Sequence, residues 1–111
     1  MAAETISSAI ATRDMTLGTT SFTLTVKADV LGQLSAIYGK CSVVWYYQIQ
    51  NDGTAVTDGT DITASGDYFE VAADTAWPLP MGLHSSGADL EIAIQGSSAA
   101  TLFLAPYPVT R

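Results

Sequence analysis

Apolar residues in this chain return at every second position, and that spacing limits the fold more than any other feature. In residues 21–28, Phe22, Leu24, Val26 and Ala28 alternate with Thr23, Thr25 and Lys27. Side chains of a strand point to opposite faces in turn, so this is a half-buried strand with Thr toward solvent. Residues 41–50 place Val43, Trp45, Tyr47 and Ile49 on one face and Ser42, Val44, Tyr46, Gln48 and Gln50 on the other. Both faces are partly apolar, which predicts a central strand covered on part of its second face. Leu90, Ile92 and Ile94 keep the same phase within 88–95, as do Ala100, Leu102 and Leu104 within 99–105.

Turn signals separate these runs. Asp52-Gly53 supplies two residues that tolerate positive φ, as a type I′ hairpin needs, and would pair Ile49 with Val56. Asp58-Gly59 closes the return strand. A three-residue loop over Gly96-Ser97-Ser98 would pair 94 with 100, 92 with 102 and 90 with 104, so 88–105 is predicted as a hairpin. Residues 68–72 form another short strand, with Phe69 and Val71 in phase. Pro78 and Pro80 exclude a central strand over 74–80, which is expected to run extended and drop Trp77 and Leu79 onto the domain. Pro106 and Pro108 are expected to stop the last strand.

Helical material is scarce. Asp29 could cap a short helix with Val30, Leu31, Leu34, Ile37 and Tyr38 on one face and Gly39 as its stop. The first twenty residues show only Ile6, Ile10 and Leu17 among Ala, Ser and Thr, and read as an extended arm, with room for one edge strand. The prediction is an all-β chain: a single β-sandwich, jelly-roll-like or Ig-like, over 21–105, with an N-terminal arm at 1–20, a C-terminal tail at 106–111 and at most one short helix.

Composition narrows the function. Four Lys+Arg stand against eleven Asp+Glu, a formal charge of −7, and the basic residues are scattered, which argues against a nucleic-acid partner. Only 14% of residues are charged while 48% are hydrophobic; 14 Thr and 10 Ser make up much of the rest. No apolar run approaches 18 residues, and Met1 to Thr5 lacks a basic segment and a long apolar one, so neither a membrane span nor a cleaved leader is expected. Cys41 is the one cysteine and sits at the start of an apolar run, where a buried inert thiol is expected.

Catalytic chemistry finds little material. His84 lies beside Ser85 in a loop-like stretch without a nucleophile elbow. Glu70 and Glu91 could form a carboxylate pair but fall on outward strand phases. Asp52, Asp58 and Asp61 gather oxygen ligands, without the spacing of an EF-hand loop. The expectation is no enzyme, no cofactor and no bound metal.

The aromatics are more informative. Trp45 and Tyr47 share a core-facing phase, whereas Tyr46 points the other way, to a binding surface, an interface or a second core layer. Thr- and Ser-rich outer faces with few charges are cheap to bury against a neighbour. The candidate contact residues are Ile6, Ile10, Leu17, Tyr46, Tyr68, Trp77 and Tyr107.

From Trp45 to Pro106 the chain resembles small bacteriophage virion proteins. The Trp-Tyr-Tyr strand, the Asn-Asp-Gly-Thr-Ala-Val-Thr hairpin, the Trp-Pro-Leu-Pro segment and the final run Leu90–Ala105 carry the resemblance. Similar layouts occur in head decoration (cement) proteins and in tail or fibre accessory domains. The resemblance implies a β-sandwich that binds the major capsid protein or another virion protein, a homo-oligomer such as a trimer, and a place in the virion after assembly in the host cytoplasm. The alternative is a carbohydrate- or receptor-binding domain of a tail fibre or adhesin, using Tyr46, Tyr68, Trp77, Asp58 and Asp61.

Overall fold

The computed structural model describes residues 3–8, 10–49, 58–64, 66–79 and 89–108. Nine strands follow one another among them: β1 (Glu4–Ile6), β2 (Arg13–Leu17), β3 (Phe22–Val26), β4 (Leu34–Cys41), β5 (Trp45–Ile49), β6 (Phe69–Val71), β7 (Trp77–Leu79), β8 (Leu90–Gly96) and β9 (Ala100–Pro108). Helix α1 (Ala28–Leu31) joins β3 to β4, and a single 3-10 turn spans Ile62–Ala64. The strands form a five-stranded sheet in the order β1-β3-β8-β5-β6 and a four-stranded sheet in the order β2-β9-β4-β7. The two sheets pack as a sandwich, and their inner phases supply the core: Met15, Leu17, Leu24, Val26, Ile37, Trp45, Leu79, Ile92, Ile94, Leu102 and Leu104 are all essentially sealed from water. The predicted all-β sandwich is the observed architecture.

The chain changes sheet at nearly every step. Of the described strands, only β5 and β6 are consecutive and share a sheet. The predicted hairpin over 88–105 is therefore an arch. β8 pairs with β3 and β5, while β9 pairs with β2 and β4. Alternation reports which face of a strand is apolar. It does not report whether the matching strand lies beside it or across the core, and the 90/92/94 and 100/102/104 sets serve either arrangement. The arch is held by backbone bonds from Gly96 N–H to the Gly18 carbonyl and from Ser97 N–H to the Val44 carbonyl, both 2.9 Å.

Both chain ends depart from the expectation. The N-terminal segment supplies two edge strands: β1 runs parallel to β3, and β2 runs antiparallel to β9. Ile6, Met15 and Leu17 fill the core, so the sandwich begins at Glu4 and not at Ser21. The cause is a sparse but sufficient inward set, with Met15 and Leu17 both buried in β2. At the other end β9 continues through Pro106 to Pro108, in register with Ile37 and Leu34 of β4. Pairing with β2 stops at Leu104, so both prolines fall where β9 is an edge on one flank, which is where a missing N–H is tolerated.

The helix predicted over 29–39 shrinks to Ala28–Leu31, and Leu34–Cys41 is strand. Its cap also differs. Asp89, from just before β8, accepts the Ala28 N–H at 2.8 Å and an ion pair from Lys27 at 3.0 Å, so a distant carboxylate does the work expected of Asp29. β5 starts at Trp45, with Cys41 closing β4 as a buried thiol. β7 is the edge strand that its proline requires, with Leu79 buried as predicted. The Asp52-Gly53 hairpin lies outside the described residues. Gly59 has φ +87, as the Asp58-Gly59 turn needs.

Candidate functional site

The outer face of the four-stranded sheet carries three of the exposed large hydrophobic side chains among the described residues. Inward phases of β2, β9 and β4 are spent on the core, which leaves Asp14, Thr16, Thr101, Phe103, Ala105, Tyr107, Ala36, Tyr38 and Lys40 facing out. Register arranges them in rows: Thr16 beside Thr101, Asp14–Phe103–Lys40, Ala105–Tyr38–Pro78, and Tyr107 beside Ala36. Phe103 is 46% exposed, Tyr107 59% and Tyr38 37%. The Tyr38 and Tyr107 rings meet edge to face with centroids 5.9 Å apart. Three large aromatics thus stand among Ala, Pro and Thr on one sheet face, with Asp14 and Lys40 on either side of Phe103.

A second aromatic group closes the sandwich where β6 and β7 form its edges. Trp45 and Tyr47 lie inside, and Phe69 of β6 stacks on Tyr47 with centroids 5.1 Å apart. Trp77 of β7 reaches across from the other sheet, and its indole N–H donates to the Tyr47 hydroxyl at 3.0 Å. Trp45 can sit so deep because Gly39 faces it: a Cβ there would lie 3.0 Å from the indole ring. Phe69 and Trp77 remain exposed at the rim.

The third group is a polar groove of about 380 Å³ on the outside of the five-stranded sheet, lined by Thr19, Tyr46, Asp61, Thr63, Tyr68, Gln95 and Ser97. Tyr46 and Tyr68 meet edge to face at 5.3 Å. Gln95 is buried beneath the 3-10 turn, accepting the Ile62 N–H at 2.9 Å and donating to Asp61 at 2.9 Å. Asp61 also accepts the hydroxyl and N–H of Thr63, at 2.6 and 3.0 Å. The Thr63 hydroxyl, then Gln95, then the Thr63 N–H favour the ionised form and hold this carboxyl below its ordinary value of 3.8.

The structure separates the predicted contact residues. Ile6 and Leu17 are 1% and 2% exposed and belong to this chain's own core, so neither can meet a partner. Ile10, at 76%, is free to do so. Tyr46 and Tyr68 come together in the groove, Trp77 stands at the β6–β7 rim, and Tyr107 lies on the aromatic sheet face. Sequence reasoning missed Phe103 and Tyr38. Phe103 was readable from the alternation, since it is out of phase with Leu102 and Leu104. Tyr38 was hidden by its assignment to a helix.

Of the other candidates, Asp58 takes a structural role. The Asp58 carboxylate accepts the Thr23 N–H and hydroxyl, tying the 58–64 segment to β3. Glu70 lies in the Tyr46–Gln95 row, whereas Glu91 is four residues further along β8. Four residues of rise and two strand spacings put them roughly 17 Å apart, beyond the separation of a glycosidase pair. His84 and Ser85 lie outside the described residues. Among the described residues no three His, Cys, Asp or Glu side chains gather as a metal site, and no helix is long and apolar enough to cross a membrane. No protein-family model, no curated protein and no solved structure matches this chain.

Proposed function

We propose that this protein is a non-enzymatic structural protein of a virion, a decoration or cement protein that binds and stabilises a phage head lattice. The observation that carries the contact role is the Phe103–Tyr38–Tyr107 face, a broad aromatic surface on a domain with few charges to desolvate. The phage setting comes from the resemblance of the Trp45–Pro106 stretch to virion proteins. Its partners would be the major capsid protein and further copies of itself. Binding only to the assembled shell stabilises that shell by mass action. With β1 and β2 built into the sandwich, this reading assigns the lattice contact to folded surfaces.

The test is to mix purified protein with undecorated heads and measure saturable binding and resistance to heat. Saturation at a fixed copy number with a raised disruption temperature is expected. Binding that never saturates, or leaves the shell unchanged, would overturn the reading.

The tyrosine groove favours a second reading, a carbohydrate-binding domain. Tyr46, Tyr68 and Asp61 converge there, three of the five residues that reading requires. Asp58 is bound to Thr23, and Trp77 stands on β7 of the other sheet. Tyr46→Ala should abolish glycan-array binding under this reading and leave head binding intact under the first.

A further inference from the structure

We infer that the aromatic face of the four-stranded sheet is covered by a second copy of this chain, packed face to face about a two-fold axis that runs parallel to β9 over Phe103. The inference deepens the contact role proposed above and rests on it.

The argument is one of charge and register. Asp14 and Lys40 flank Phe103 in a single row, one on β2 and the other on β4. Strands lie about 4.8 Å apart, so the two backbones stand about 9.6 Å from each other, on opposite sides of the ring. Both residues are exposed. The ion pairs formed among the described residues join Arg13 to Glu4 and Lys27 to Asp89, and involve neither of them.

Two sheets with their strands aligned can stack face to face about an axis along the strands or about one across them. An axis across the strands keeps each flank on its own side and sets Asp14 over Asp14. An axis along β9 exchanges the flanks, sets Asp14 of each copy over Lys40 of the other, and brings Phe103 onto Phe103. The charges therefore select one stacking. It is isologous and closes at two copies. Thr101 and Ala105, the next outward positions along β9 on either side of Phe103, are small and leave the two Phe103 rings room to slip past each other between sheets about 10 Å apart. The charge of −7 on each copy opposes approach, but at physiological salt that repulsion is screened within about 8 Å. The β6–β7 rims with Phe69 and Trp77 remain uncovered, so a pair offers a lattice two binding edges at once.

Sedimentation equilibrium of the full chain, from micromolar to near-millimolar concentration, tests this. The expected result is a monomer–dimer equilibrium that Phe103→Asp abolishes. Asp14→Lys and Lys40→Asp should each weaken it about tenfold. Mixing those two variants should restore it, because the mixed pair again sets an acid over a base at both contacts. Both positions are exposed, and circular dichroism should report an unchanged fold. A wild type that stays monomeric, or a mixture no tighter than either variant alone, overturns the pairing. If the chain is monomeric yet Phe103→Asp still abolishes head binding, the pairing is wrong and the contact role stands. If Phe103→Asp alters neither, both fall.

Discussion

Substituting Gly96 by Ala tests the arch that joins the two sheets. A Cβ at residue 96 would sit 2.6 Å from the Ser98 carbonyl oxygen and 3.1 Å from Leu17 Cβ. Carbon and carbonyl oxygen rarely approach within about 3.3 Å, so roughly 0.7 Å of movement is needed. Backbone must supply it, because Ser98 lies in the arch and Leu17 is sealed in the core. Overpacking of this kind costs about 1–3 kcal/mol. The shift also strains the bonds from Gly96 to Gly18 and from Ser97 to Val44, each worth about 1 kcal/mol net. Against this, Ala narrows the unfolded ensemble by about 0.4–1 kcal/mol. The balance is a loss of about 2 kcal/mol, or about 8 °C in Tm for a domain of this size. Gly32→Ala is the control: a Cβ there meets nothing within 4 Å and the residue has φ −68, so it should gain a few tenths of a kcal/mol. Urea and thermal unfolding followed by circular dichroism measure both. In the tight hairpin suggested by alternation alone, Ala at 96 would be harmless. A Gly96→Ala protein as stable as the parent would refute the arch.

The N-terminal strands give a sharp contrast: Met15→Ala should cost about 2–5 kcal/mol in urea unfolding, while Ile10→Ala stays within about 0.5 kcal/mol. A harmless Met15→Ala would return residues 1–20 to the role of a free arm. Asp61 has its folded pKa below its unfolded value, so its contribution is present above about pH 4 and lost as pH falls through the lowered folded value. Asp61→Asn keeps an acceptor for Thr63 and should flatten the acid side of a urea-midpoint profile; an unchanged acid slope would contradict the assignment. The Trp77–Tyr47 bond between the sheets should appear as a coupling of about 0.5–1.5 kcal/mol in a Trp77→Phe, Tyr47→Phe double-mutant cycle, and zero coupling would mean the rim is held by packing alone.

The fold class was legible because period-two alternation is a direct imprint of strand geometry, strongest where Trp45 and Tyr47 share the core phase. Topology was not, because the same alternation at Ile92 and Leu102 suits a lateral pair and a pair across the core equally well. Prolines misled at the C-terminus: their cost depends on whether a strand occupies the flank they leave without a donor, and that is a property of sheet order. The N-terminal strands were missed because Met15 and Leu17 sit among Arg, Asp and Thr, an alternation too short to distinguish from chance. Site residues divided the same way. Tyr46 and Tyr68 meet because β5 pairs with β6 nearby, a contact the sequence suggested only as a list of exposed aromatics. The aromatic sheet face needed register across three strands before Phe103, Tyr38 and Tyr107 could be seen as one surface.

The contact role of that face is tested most directly by hydroxyl-radical footprinting of the dilute free protein and of the protein bound to heads. Protection of Phe103, Tyr38 and Tyr107 on the particle is the predicted result, whether a second copy or the shell covers them. Full reactivity of all three in the bound state would contradict it.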